Sequence, residues 1–123
     1  MTTILHIEDT KANQILVQRV LEAEGYQIIN AADGKTGIQA AMAQAPDLIL
    51  IDMGLPDIDG QTVVTHLKQL PRLNAVPMVA ITAWPAEKAL ETADRYSLSG
   101  CILKPIDVRN FPRQIAGYLG SAS

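Results

Sequence analysis

The chain has 123 residues, 48% of them hydrophobic and 19% charged, with a formal net charge of -3. That suits one compact domain with a real core, and no Lys/Arg block offers a nucleic-acid face. Cys101 is the single cysteine, which excludes an internal disulfide and a cysteine-rich zinc site. No apolar run approaches the roughly 20 residues that cross a bilayer, and Met1-Thr2-Thr3 opens no secretion signal. The expectation is a soluble cytoplasmic protein with no membrane insertion.

Strand-like and helix-like segments alternate along the chain. "TILHI" (Thr3 to Ile7) is short, apolar and β-rich. From about Lys11 to Glu24, Ile15, Leu16, Val20 and Ala23 recur at helical spacing, and Gly25 supplies a helix stop. "YQIINA" reads as a second strand. Asp33-Gly34 caps a second helix with Ile38, Ala41, Met42 and Ala45 on one face, ended by Pro46. "DLILID" is apolar at successive positions, as a parallel strand covered on both faces should be. A third helix runs from about Gln61 to Leu70, with Val63, Val64, Leu67 and Leu70 as its apolar set. "VPMVAIT" is the fourth strand. Pro85 fits the first turn of a helix through about Tyr96. "GCILK" is the fifth strand, and a last helix ends near Leu119. Pro112 is too deep for a helix capped by Asp107 but sits in the first turn if Asn110 is the cap, so this helix should start late or bend. Such alternation predicts a parallel sheet between helical layers.

In open α/β sheets, ligands bind beyond the carboxyl ends of the strands. Strand one ends in Glu8-Asp9, strand three in Asp52, strand four in Thr82 and strand five in Lys104-Pro105. Clustered carboxylates repel and call for a cation. Oxygen-only ligands with open water positions favour Mg²⁺ beside a phosphoryl group. An Asp carboxylate can form an acyl phosphate, and phosphoryl transfer needs mainly positioning and charge neutralisation. The set fits that task, with Asp52 as nucleophile, Glu8 and Asp9 on the metal, and Lys104 and Thr82 on phosphoryl oxygens. Alone, each member has a plainer reading: Glu8-Asp9 as a helix cap, Thr82 as a strand residue, Lys104 as a strand-end lysine.

"HIEDTKAN", "LILIDMGLPDIDG", "VPMVAITA" and "CILKP", in that order and spacing, resemble the response-regulator receiver domains of two-component signalling. The resemblance spans essentially the whole chain, 1–123. It implies a flavodoxin-like doubly wound (βα)5 three-layer sandwich with a parallel sheet ordered 2-1-3-4-5. It implies phosphorylation of Asp52 by a phosphohistidine of a histidine kinase or histidine phosphotransfer protein. Mg²⁺ would sit on Asp9, Asp52 and the Gly54 carbonyl, with Glu8 reaching it through water. Thr82, flanked by Ala83, and Lys104 would contact the phosphoryl group, and the peptide before Pro105 would be cis. The phosphodonor would dock around Asn13, Gln14, Val17 and the loop after Lys104. The protein would switch a downstream target and not turn over an external substrate.

Asp57 and Asp59 read as loop and cap acids, His6 as a satisfied, partly buried strand histidine, and His66 as an exposed helix residue. Cys101 stands where the family usually has Tyr or Phe, so the output surface is expected to respond through backbone or helix movement. Gly54 and Trp84 stand at the two positions that in the family flank the phosphoryl group, so a shielding Trp84 predicts a long-lived acyl phosphate; the competing reading is that Trp84 merely covers the start of the fourth helix. An aspartyl phosphatase would need a second acid where Gly54 stands, and a dinucleotide-binding domain would need G-x-G-x-x-G after strand one. Two alternatives stay open: a receiver-like binding module that works without phosphorylation, and the receiver part of a hybrid histidine kinase. Met1 and "GYLGSAS" favour a single-domain regulator.

Overall fold

The structure, a computed structural model, describes residues 1–120; Ser121 to Ser123, the end of "GYLGSAS", lie outside the described residues. The elements alternate as β1 (Thr3–Ile7), α1 (Lys11–Glu22), β2 (Gln27–Ala31), α2 (Gly34–Gln44), β3 (Leu48–Asp52), α3 (Gly60–Lys68), β4 (Met78–Thr82), α4 (Ala86–Arg95), β5 (Gly100–Leu103) and α5 (Phe111–Gly120). The strands form one sheet in the order β2-β1-β3-β4-β5. Every pairing is parallel. The expected architecture and strand order are therefore correct.

Burial explains the layering. β3 and β4 are buried at every position, because each lies between two neighbours and beneath helices on both faces. One face gathers Ile4, Leu48, Leu50, Val79 and Ile102 with Val17 and Leu21 of α1 and Phe111 and Ile115 of α5. The other gathers Leu5, Ile7, Ile49, Ile51 and Ala80 with α2 and α3. β2 is the half-exposed edge.

Capping fixes where the helices begin. Asp33 accepts from Thr36 N–H at 2.8 Å, and Asp59 accepts from Thr62 N–H at 2.8 Å. Asp57 does more than a loop acid would. Its carboxylate accepts from Gly34 N–H at 2.8 Å and Lys35 N–H at 3.0 Å, tying the β3–α3 loop to the start of α2. α5 starts late, at Phe111, which puts Pro112 in its first turn, where no hydrogen bond is lost.

Several expectations need correction. α1 ends at Glu22 and not Glu24. Glu24 and Gly25 instead donate to Leu21 and Glu22 carbonyls in a tight turn, which Gly25 closes at φ 91°. Pro85 is the cap residue of α4 and lies just outside its first turn. The inner face of α1 is Val17 and Leu21, while Ile15, Leu16 and Ala23 are exposed. At about 100° per residue, Ile15 stands nearly opposite Val17. In α2, Met42 and Ala45 are exposed, and the inner face is Gly34, Gly37, Ile38 and Ala41. Small residues win there because α2 packs tightly against β1. A Cβ on Gly37 would lie 2.5 Å from Ile7 Cδ1 and 2.8 Å from Ile7 Cγ1.

Gly37→Ala therefore sets a helix-propensity gain of about 1 kcal/mol against overpacking of about 1–3 kcal/mol. Chemical denaturation should show a net loss of stability, part of which Ile7→Val restores. Stabilisation by Gly37→Ala alone would show that α2 has room to move.

Candidate functional site

The register of the sheet assembles the site. Ile7 pairs with Ile51, so Glu8 and Asp52 follow side by side at the carboxyl ends of β1 and β3. Asp52 pairs with Ile81, and Thr82 pairs with Leu103. Met53 N–H donates to Ile81 carbonyl at 3.2 Å, and Lys104 N–H donates to Thr82 carbonyl at 2.8 Å. The ladder thus extends one residue past the strands and delivers Asp52, Thr82 and Lys104 to one edge.

Glu8 and Asp52 are buried, while Asp9 is exposed. Oxygens of all three carboxylates lie within 4.8 Å of one another. Lys104 Nζ stands 3.4 Å from Glu8 Oε1 and 3.5 Å from Asp52 Oδ1. Gly54 N–H donates to Asp52 Oδ1 at 3.0 Å. Trp84 N–H donates to Thr82 Oγ1 at 3.0 Å. The Lys104–Pro105 peptide is cis.

One ammonium does not balance three acids, and the titration reflects this. Burial, then the hydrogen bond and charge of Asp52, push the Glu8 carboxyl up to about 7, against the pull of Asn13 and Lys104. Burial alone would raise Asp52 as well. The hydrogen bond shared with Glu8, the Gly54 N–H and Lys104 outweigh it and hold Asp52 below the usual carboxylate range. Below about pH 7 the pair's proton sits on Glu8 and not on Asp52, which keeps its charge. A buried, ionised and hydrogen-bonded carboxylate at the mouth of a sheet suits a nucleophile.

Three convergent oxygen ligands with no nitrogen or sulfur fit a hard divalent cation that keeps water positions. A cation there would also relieve the repulsion that raises Glu8.

Residues 4–116 match the response regulator receiver domain family. The chain belongs to that family. The receiver is 33% identical over 120 residues to the polar-differentiation response regulator DivK of Brucella anthropi, covering 98% of each chain. It shares 27% identity and a TM-score of 0.88 with the receiver domain of a Pseudomonas aeruginosa sensor histidine kinase, over 97% of this chain and 98% of that one. That crystal structure has magnesium coordinated in its active-site cleft. The Vibrio cholerae chemotaxis protein CheY4 matches with a TM-score of 0.90 at 19% identity, over 96% of this chain and 98% of that one, a likeness of fold.

Some residues in the receiver stand elsewhere than expected. Val17 belongs to the core and cannot be a docking contact; Ile15 and Leu16 are the exposed apolar residues of α1. His6 is fully buried, and its Nδ1 has no hydrogen-bond partner, so it is neither satisfied nor partly exposed. Burial lowers it to about 4, with Asp52 pulling up and Lys104 down. His66 is exposed. Cys101 is half-buried at the edge of the core, and burial raises its thiol. Ala83 is exposed beside Thr82. Two supports were not foreseen. Gln14 Nε2 donates to the Glu8 carbonyl at 2.6 Å, and Lys88 Nζ lies 4.0 Å from the centroid of the Trp84 ring. Neither carries a sequence signal beyond position on a helix.

Lys104→Met should cost about 1–3 kcal/mol at pH 8, less than a fully buried pair because Lys104 is partly exposed. The cost should shrink toward pH 5, where Glu8 carries a proton in both proteins. Equal costs at the two pH values would contradict this charge balance.

Proposed function

We propose that Asp52 accepts a phosphoryl group from a phosphohistidine of a histidine kinase or phosphotransfer protein and so switches the receiver between two protein-binding states. The observation that carries this reading is the ionised, hydrogen-bonded Asp52 carboxylate within 3.5 Å of Lys104 Nζ. An oxygen of Asp52 attacks phosphorus; the phosphorus–nitrogen bond of the donor breaks, and its electron pair stays on the imidazole. Lys104 and the Thr82 hydroxyl contact the phosphoryl oxygens. Mg²⁺ held by Asp9, Asp52 and the Gly54 carbonyl, with Glu8 through water, would neutralise phosphoryl charge. The acidic cluster and the magnesium in the Pseudomonas relative's cleft support that cation.

Residues 1–123 read as one receiver domain; the Brucella relative is covered over 98% of its length. The same chemistry serves a receiver joined to a sensor kinase, as in the Pseudomonas relative. In both cases the reaction is a single transfer to the protein itself, later hydrolysed, and not turnover of an external substrate. No described helix is long and apolar enough to cross a membrane. A cavity of about 460 Å³ lined by Asn13, Leu16, Ala83, Lys104, Pro105 and Ile106 opens beside the acceptor. It supports a donor docking over α1 and the loop after Lys104, with Leu16 in the place expected of Val17. With Cys101 at the usual aromatic position, output travels through backbone or helix movement. A free and a phosphate-analogue-bound structure identical in α4 and β5 would refute that route. Gly54 offers no side chain to orient water, and the bulky Trp84 stands two residues after Thr82, which supports an acyl phosphate that lasts longer than seconds.

Intact mass after incubation with acetyl phosphate tests the central step. The wild type should gain one phosphoryl group only with Mg²⁺, and Asp52→Asn should gain none. Gain by the Asp52→Asn variant would refute the assignment, and no gain by the wild type even with a phosphohistidine donor would favour a module that works without phosphorylation.

A further inference from the structure

Resting on the acceptor reading above, we infer that Asp57 is a positioning residue for the cation beside Asp52: it clamps the β3–α3 loop to the start of α2 and so fixes where Gly54 stands. The loop runs from Met53 to Asp59, between β3 and α3. Gly54 is exposed on it and is assigned to the cation through its backbone carbonyl. A backbone ligand has no rotamer with which to adjust. It is placed only as well as its loop is placed.

The two ends of the loop are closed on each other. Gly54 N–H donates to Asp52 Oδ1 at 3.0 Å. A Cβ on Gly60 would lie 2.5 Å from Met53 Sδ and 3.0 Å from Met53 Cα. Asp57 holds the far part. Its carboxylate accepts from Gly34 N–H at 2.8 Å and from Lys35 N–H at 3.0 Å. These are the first two N–H groups of α2, which find no partner inside the helix, and a carboxylate is favoured at a helix N-terminus. The neighbouring acids are engaged elsewhere: Asp33 caps its own helix through Thr36, and Asp59 caps α3 through Thr62.

The backbone is built around this contact. A Cβ on Gly34 would lie 2.9 Å from Val63 Cγ2 and 3.3 Å from both Asp57 Oδ1 and Ile58 Cβ. Glycine at 34 is what lets the start of α2 come this close to the loop. Between Asp57 and Gly54 stands Pro56, whose φ is fixed. A shift at Asp57 therefore passes along a short, stiff piece of chain to Gly54. The Gly54 carbonyl and the Gly54 N–H on Asp52 move with it, so the clamp places a cation ligand and a partner of the nucleophile together.

Calorimetric titration with MgCl₂ should give binding about two- to tenfold weaker in Asp57→Ala than in wild type, the scale of one net hydrogen bond. Asp57→Asn, which keeps one acceptor oxygen, should fall between the two. Asp33→Ala removes the cap of the same helix, a comparable loss of stability, and should bind Mg²⁺ as the wild type does. In Asp57→Ala, amide exchange should quicken at Gly54 as well as at Gly34 and Lys35. Phosphorylation of this variant by acetyl phosphate should be slow at limiting Mg²⁺ and reach the wild-type rate at saturating Mg²⁺, because Asp52, Thr82 and Lys104 are untouched. Wild-type Mg²⁺ affinity in Asp57→Ala, equal weakening in Asp33→Ala, an unchanged Gly54 amide, or a deficit that saturating Mg²⁺ leaves in place would overturn the inference and leave the acceptor reading standing. A wild type that takes up no Mg²⁺ would overturn both.

Discussion

The rest of the site depends on one contact, the Lys104 ammonium set between Glu8 and Asp52. Without it, two buried carboxylates would face each other at adjacent strand ends with no counter-charge. With it, the balance is still incomplete, because Asp9 adds a third acid to the cluster. The fold holds these groups together through a sheet that has little freedom to relax. β3 and β4 are buried along their whole length, and the ladder continues through Met53 and Lys104. The core thus forces the charges into proximity, and the charges set the chemistry.

Much of this was legible in the sequence. Alternating apolar runs and helical spacings point to the layers, and the strand ends point to Glu8, Asp9, Asp52, Thr82 and Lys104. The reason is that buried parallel strands are almost wholly apolar, so a charged residue marks their end. The helix faces were harder to read. Ile15, Leu16, Met42 and Ala45 are apolar, yet they face outward, while glycines and alanines of α2 face in. Hydrophobicity alone does not say how closely a helix approaches its sheet; the contact between Gly37 and Ile7 does.

Side-chain contacts across elements left no trace in the sequence. Asp57 holding the start of α2 joins segments 23 residues apart whose pairing only the fold decides, while Gln14 on the Glu8 carbonyl and Lys88 over Trp84 are local contacts that depend on where α1 and α4 begin. His6 was misread for a related reason. A histidine in an apolar strand usually finds a partner, but here the neighbouring charges belong to the acidic site and its Nδ1 is left alone.

Melting temperature at pH 6 and pH 8, with and without Mg²⁺, tests the crowding of charge most directly. A carboxyl raised to about 7 in the fold stabilises it while protonated, and that contribution is lost as pH climbs through 7. Without Mg²⁺ the wild type should melt lower at pH 8 than at pH 6, and Mg²⁺ should restore it at pH 8. Glu8→Gln should lose that pH dependence, which separates Glu8 from other titrating groups. A wild type indifferent to both pH and Mg²⁺ over this range would contradict the account.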